Sequence, residues 1–125
     1  MKKSNSTINF HSKLIWLSKL YKFKVVEEYL FDINRKFRID FFLPEFNVGI
    51  EYEGIIASKS RHTTVDGFSK DCQKYNLATI AGIRILRYTA LNEADLHTDL
   101  QKIGVEAIKS LDIFNGLCKD WNPNK

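Results

Sequence analysis

Two carboxylates are spaced to face each other across a short hairpin. Asp40 lies in Phe37-Arg38-Ile39-Asp40-Phe41-Phe42-Leu43 and Glu51 in Val48-Gly49-Ile50-Glu51-Tyr52-Glu53-Gly54. Both segments are rich in aromatic and β-branched residues, and Pro44-Glu45-Phe46-Asn47 between them reads as a turn. A symmetric turn pairs Leu43 with Val48, and counting outward pairs Asp40 with Glu51. Directly opposite Cβ atoms sit roughly 4.5–5.5 Å apart, and like charges there destabilise a sheet. Such a pair calls for a cation, and both carboxylates can reach one hard divalent ion such as Mg²⁺. Read from the hairpin alone, the bland alternative stands beside this one: two solvated carboxylates on the open face of a sheet.

Strand side chains alternate. Arg38, Asp40 and Phe42 are therefore expected on one face with Gly49, Glu51 and Glu53. Ile39, Phe41, Leu43, Val48, Ile50 and Tyr52 are expected on the apolar core face. A slip of one residue would separate Asp40 from Glu51, so the site depends on register. The same register sets Glu53 opposite Arg38. Glu53 is thus either a proton acceptor near the pair or half of an Arg38 ion pair.

The elements that must position these groups follow from apolar spacing. Residues 1–9 are polar and read as a loose N-terminus. Leu14, Leu17, Leu20 and Tyr21 predict a helix from about Ser12 to Phe23, with Trp16 in the core. Val25 to Ile33 reads as a strand, Asn34-Arg35 as a turn, and residues 36–53 as the hairpin. Gly54 to Val65 is a polar, basic stretch. Asp66 to Ala81 predicts a second helix, with Phe68, Cys72, Tyr75 and Thr79 along one side and Gly82 at its end. Ile83 to Thr89 is a short strand. A long helix from about Asn92 to Leu111 carries Leu96, Leu100, Ile103, Ala107 and Leu111, weakened at Gly104. The expected architecture is α/β of the mixed α+β kind. A small mixed sheet is flanked by helices, and its last strand joins by a right-handed crossover. One domain is expected over 10–113, with its core at 24–89, and a surface tail at 114–125.

The chain has 125 residues, 44% hydrophobic and 27% charged, which suits one soluble globular domain. No apolar run approaches the ~18 residues needed to span a bilayer, so no membrane partner is expected. The N-terminus is polar and lysine-bearing, which argues against export. Cys72 and Cys118 have no metal-binding spacing and read as free thiols in a reducing cytoplasm. The net charge is +4 and the pI about 9.1. Basic residues concentrate before Glu27 and again around the hairpin and the segment after it. Such a surface attracts a polyanion, though solubilising lysines give the same composition.

Five ordered segments carry a family resemblance. They are Arg38-Ile39-Asp40-Phe41; Ile50-Glu51-Tyr52-Glu53-Gly54; Arg61-His62-Thr63; Asp71-Cys72-Gln73-Lys74-Tyr75-Asn76-Leu77-Ala78; and Gly82-Ile83-Arg84-Ile85-Leu86-Arg87-Tyr88-Thr89. In the order α-β-β-β-α-β, this set resembles the PD-(D/E)XK nuclease superfamily. It resembles in particular the very-short-patch-repair-like and DUF559-type endonucleases of bacteria and phages. The resemblance covers roughly residues 10–90. It implies a restriction-endonuclease-like αβββαβ core with a C-terminal helix added, and metal-dependent hydrolysis of DNA phosphodiester bonds. It also implies a location in the cytoplasm of a bacterial or phage-infected cell.

By that likeness Asp40 and Glu51 hold Mg²⁺ (or Mn²⁺), with the Tyr52 backbone carbonyl as a third ligand. The chain departs from the pattern in three places. Glu53 stands where many members carry Lys, which puts the general base in doubt, Ile39 stands where a proline usually precedes the first acid, and the first helix has no acidic residue to serve as a further metal ligand.

Phosphodiester hydrolysis requires an activated water, neutralised phosphate charge and a stabilised leaving oxygen. A metal ion held by two carboxylates supplies much of this. Glu53 could accept the water's proton. Lys74, on the second helix, could replace the missing strand lysine beside the phosphate, or be a solvated helix lysine. Gln73 diverges from Lys74 by about 100° around the helix, so only one of them can point into the site. His62 is a candidate water activator or phosphate contact. Arg38, Lys59, Arg61 and Lys70 are candidate DNA contacts, setting affinity and not sequence preference. The expected partner is double-stranded or branched DNA, including mismatched DNA, with a homodimer if symmetric junctions are cut. Two other classes remain: a catalytically degenerate nucleic-acid- or protein-binding module, and a structural domain with an incidental acidic face.

Overall fold

The structure, a computed structural model, describes residues 5–54 and 64–106. Its elements run α1 (Asn5–Tyr21), β1 (Val26–Asp32), β2 (Phe37–Leu43), β3 (Val48–Gly54), α2 (Val65–Ile80), β4 (Arg84–Thr89), a short 3₁₀ turn (Glu93–Asp95) and α3 (Leu96–Ile103). The strands form one sheet in the order β1-β2-β3-β4. The first two pairings are antiparallel and β3–β4 is parallel. Parallel neighbours need a crossover, and α2 supplies it. The fold is therefore mixed α/β, with helices on both faces of the sheet.

Helix α1 begins at Asn5, well before the expected Ser12, so residues 5–9 are helical and not a loose end. The reason is Phe10. Phe10, Leu14, Leu17 and Tyr21 form one buried stripe at helical spacing, and turning Phe10 into the core requires helix before it. Trp16 falls off this stripe and is 60% exposed, against the expectation that it is core. The helix stops at Tyr21, not Phe23. Lys22 takes a φ of 60° and Phe23 N–H donates to the Ser18 carbonyl at 3.0 Å.

Two cores result. The larger packs Phe10, Leu14, Leu17 and Tyr21 of α1 and Leu96 and Leu100 of α3 onto Phe41, Leu43, Val48, Ile50 and Tyr88. The smaller lies under α2 and, among the described residues, contains Ile39, Phe42, Ala78 and Ile83, with Tyr29, Phe31 and Ile85 against it. Gly49 makes this second layer close. A Cβ there would stand 2.8 Å from Ile85 Cδ1 and 2.9 Å from Ile39 Cγ2.

Helix α2 is capped by Thr64, whose Oγ1 accepts the Gly67 N–H at 3.0 Å. It closes at Gly82 (φ 81°), as expected, with N–H groups of Ala81 and Gly82 satisfying the carbonyls of Leu77 and Thr79. Its inward face is not the expected Phe68, Cys72, Tyr75, Thr79 side. Phe68, Cys72 and Thr79 are exposed, and the inward positions are Gly67, Asp71, Lys74, Tyr75 and Ala78. The expected long final helix is broken. It ends at Ile103, capped by Gly104 at φ 108°, and Val105 and Glu106 resume helical geometry. Ala107, Leu111, Cys118 and the tail at 114–125 lie outside the described residues. Among the described residues, no helix is long and apolar enough to cross a membrane.

Gly49→Ala should therefore lower stability by about 1–2 kcal/mol through overpacking against Ile39 and Ile85. Urea denaturation measures this, and an unchanged midpoint would mean that the two isoleucines repack freely.

Candidate active site

The hairpin pairs Leu43 with Val48, Phe42 with Gly49 and Phe41 with Ile50, which is the register the turn predicts. Beyond Phe41 and Ile50 the backbone ladder gives way to side chains. The Asp40 N–H donates to Glu51 Oε2 at 3.3 Å, and the Tyr52 N–H donates to Asp40 Oδ2 at 2.9 Å. Each acid thus accepts a hydrogen bond from a backbone N–H on the facing strand.

A kink places Asp40 in this gap. Ile39 and Phe42 both pack under α2, while Phe41 packs toward α1. Strict alternation would set Ile39 with Phe41, so the expected faces fail at Asp40. The neighbouring strand is distorted at the same level, although it keeps its register with β2 from Val26 to Leu30. Glu28 has a φ of 50°; Glu27 approaches His11 of α1 (2.9 Å), whereas Tyr29 stacks on Phe42 at 4.2 Å between ring centroids. Left-handed φ is unfavourable for a non-glycine residue. Here it accompanies the loss of strict alternation at Asp40.

The gap is roofed by α2. Lys74 Nζ forms an ion pair with Glu51 Oε1, and Glu51 is 4% exposed. Burial pushes the Glu51 carboxyl up from its ordinary 4.5 to about 7. The Asp40 charge pushes it the same way and Lys74 opposes both. Gln73, as the helix geometry requires, points elsewhere and accepts from Arg35 Nη1 at 2.9 Å.

Glu53 does not pair with Arg38. It accepts from Arg87 of β4, with Nη2 at 3.0 Å and Nε at 3.3 Å, and from the Tyr75 hydroxyl at 3.4 Å. The expected ion pair is overturned because parallel pairing brings Arg87 opposite Glu51. Arg87 therefore shares the α2 face with both acids, and its guanidinium also lies 4.4 Å from the Tyr75 ring centroid. Burial and the charges of Glu51 and Glu53 raise the Tyr75 hydroxyl, which stays protonated as a donor. Sequence reasoning missed Arg87 and Tyr75 as members of the site. Alternation along β4, which groups Ile85, Arg87 and Thr89, was the available signal.

Tyr52 is fixed on three sides. Its N–H is held by Asp40, its ring stacks on Phe10 at 4.4 Å, and its hydroxyl donates to Glu93 Oε2 at 2.7 Å. Its peptide is thereby anchored beside the pair. Arg38 and Lys70 are exposed and line one groove with Lys74. Lys59, Arg61 and His62 lie outside the described residues.

The donor set is all oxygen: two side-chain carboxylates and a neighbouring peptide. That suits a hard cation, and one or two carboxylates plus substrate phosphates is how Mg²⁺ is usually held. Among the described residues, no three His, Cys, Asp or Glu side chains group tightly enough to hold a metal by themselves. The arrangement can hold a divalent ion shared with an anionic substrate, with the Lys74 ammonium alongside.

The raised Glu51 carboxyl makes folding stability depend on pH. The folded state keeps this proton more tightly than the unfolded chain, so the contribution is complete below about pH 4.5 and lost as pH rises through about 7. Wild type should lose up to about 3 kcal/mol relative to Glu51→Gln between pH 4.5 and 8, as denaturant titrations at each pH will read. Parallel curves for the two proteins would reject the buried like-charge pair. Comparison of the chain with protein-family models, with curated proteins and with solved structures finds no match.

Proposed function

We propose that this protein is a metal-dependent DNA endonuclease that hydrolyses phosphodiester bonds. The observation that carries the reading is the convergence of Asp40 and Glu51 in one interstrand gap, with Lys74 delivered to Glu51 from α2. Two acids and a lysine, brought together by a β-β-α-β unit, match what the cut requires. The element order and the family resemblance of residues 10–90 support the same activity.

Mg²⁺ or Mn²⁺ bound between Asp40 and Glu51 would supply Lewis-acid activation of the phosphate and of water. The residues divide the remaining work. Lys74, beside Glu51, would neutralise charge on the phosphate. Tyr52 holds Asp40 through its N–H, and its carbonyl would be the third oxygen available to an ion. Glu53 keeps α2 and β4 together through Arg87 and Tyr75. It is a weaker candidate for proton acceptor than Glu51's surroundings alone would make it, because Arg87 already occupies it. Branched or mismatched DNA as the substrate, and a dimer for symmetric junctions, belong to this proposal through the resemblance.

One observation favours a second reading. Lys74 already supplies Glu51 with a cation and Arg87 supplies Glu53, so the same fold could bind nucleic acid with a self-neutralised, inactive site.

Metal binding to the folded state must raise stability, by about 2.7 kcal/mol at a hundredfold excess over Kd. Mg²⁺ or Mn²⁺ should therefore raise the melting temperature of wild type by several degrees and leave Asp40→Asn unmoved. Because Glu51 must lose its proton, metal affinity should rise with pH and level off above about pH 7. An absent shift sinks the shared-cation idea. With Mg²⁺, cleavage of linear, nicked, mismatched or four-way DNA should fall at least ~10²-fold in Asp40→Asn and Glu51→Ala. Glu53→Gln should lose less than about tenfold, whereas a general base would cost ~10²–10⁴-fold. Binding without cleavage by wild type would favour the second reading.

A further inference from the structure

Two openings flank the acidic gap, and they carry opposite charge. One, about 130 Å³, is lined by Glu27, Glu28 and Asp40 together with Thr7, Phe41 and Tyr52. The other, about 250 Å³, lies between the start of β2 and α2. It is lined by Lys36, Phe37, Arg38, Lys70, Asp71 and Lys74. Lys74 belongs to this groove and to the Glu51 ion pair at once, so the groove's inner end is the acidic gap.

We propose that this basic groove is the track of the DNA backbone, with Arg38 and Lys70 holding phosphates next to the one that reacts. The direction of the strand toward Lys74 rests on the nuclease reading; the binding itself does not. Three observations carry it. Among the described residues, none pairs with the side chains of Lys36, Arg38 or Lys70, whereas Lys74 and Arg87 are engaged by the acids. Unpaired cations converging on a concavity cost self-repulsion, which a polyanion relieves. Arg38 adds a planar fork suited to phosphate oxygens. Second, the half-buried Phe37 ring, stacked on Phe31 at 6.4 Å, gives the groove an apolar wall against which a sugar or base can lie. Third, the opposite opening is acidic and repels a phosphate chain, leaving one side for approach.

Asp71 is the exception within the groove. Its charge acts on Tyr75 and Arg87 behind it, yet it still opposes a phosphate. This gives a prediction whose sign a merely structural groove would not produce. Binding of a short fluorescent DNA oligonucleotide, single-stranded and duplex, is measured by anisotropy in EDTA across a salt series. Arg38→Ala and Lys70→Ala should each weaken binding several-fold and reduce the slope of log K against log salt by about 0.7–0.9. Asp71→Asn should tighten binding. Lys102→Ala, on α3, should change nothing.

Unchanged slopes in Arg38→Ala and Lys70→Ala would overturn the proposal. So would displacement of the oligonucleotide by polyglutamate as readily as by polyphosphate, which would assign the groove to acidic protein. EDTA separates the two readings. Wild type that binds through the groove but fails to cleave with Mg²⁺ rejects the nuclease and keeps the track. Wild type that cleaves, with binding indifferent to Arg38 and Lys70, rejects the track alone.

Discussion

Confining two carboxylates to one gap between strands is the constraint on which the rest of this molecule turns. Asp40 and Glu51 repel each other, and each takes a facing N–H in place of a ladder hydrogen bond. Neither the repulsion nor the broken ladder is tolerable without compensation. Compensation comes from α2, which must reach Glu51 with Lys74 and therefore cannot present an apolar face there. Glu53, two residues on, makes the same demand and draws Arg87 from β4. Helix position, strand order and the choice of inward residues on α2 all follow from keeping that charge.

The two faces of the sheet divide the labour accordingly. The α1 side carries the continuous apolar core, with fully buried Leu14, Leu17, Ile50, Leu96 and Leu100. The α2 side has a small apolar patch that runs from Tyr29 and Phe31 of β1 to Ile85 of β4, and beside it a polar layer of Glu51, Glu53, Lys74, Tyr75 and Arg87. Stability is concentrated on one face so that the other can hold ionised groups at close range. The absence of a side chain at Gly49 lets Ile39 and Ile85 close over the sheet and draws the apolar patch tight against the charged one.

How much of this could be read from the chain depends on how local the cause is. The hairpin register was legible because a short turn and neighbouring residues decide it. The end of α2 was legible because Gly82 tolerates the left-handed conformation a cap requires. Three features were not. The partner of Glu53 lies 34 residues away on a parallel strand, so cross-hairpin counting offered Arg38 instead. The inward face of α2 was misassigned because hydropathy assumes that buried means apolar, and here the helix covers acids. The break in alternation at Asp40 coincides with the left-handed backbone of Glu28, one strand over, and no pattern in β2 announces it. Trp16 was expected in the core but is exposed, because the buried stripe set by Phe10, Leu14, Leu17 and Tyr21 lies on another side of the helix.

The left-handed backbone at Glu28 has a consequence beyond its place beside the acidic gap. β1 is one of the two edge strands of the sheet, and it exposes Val26, Leu30 and nearby Ile33. An unbroken strand of that composition would be a template onto which a second chain could add, the first step of ordered aggregation. The irregularity at Glu28 interrupts the row of outward N–H and carbonyl groups midway along that rim and puts a charge on it. One residue thus sits beside the acidic gap and also makes one edge of the sheet a poorer surface for polymerisation.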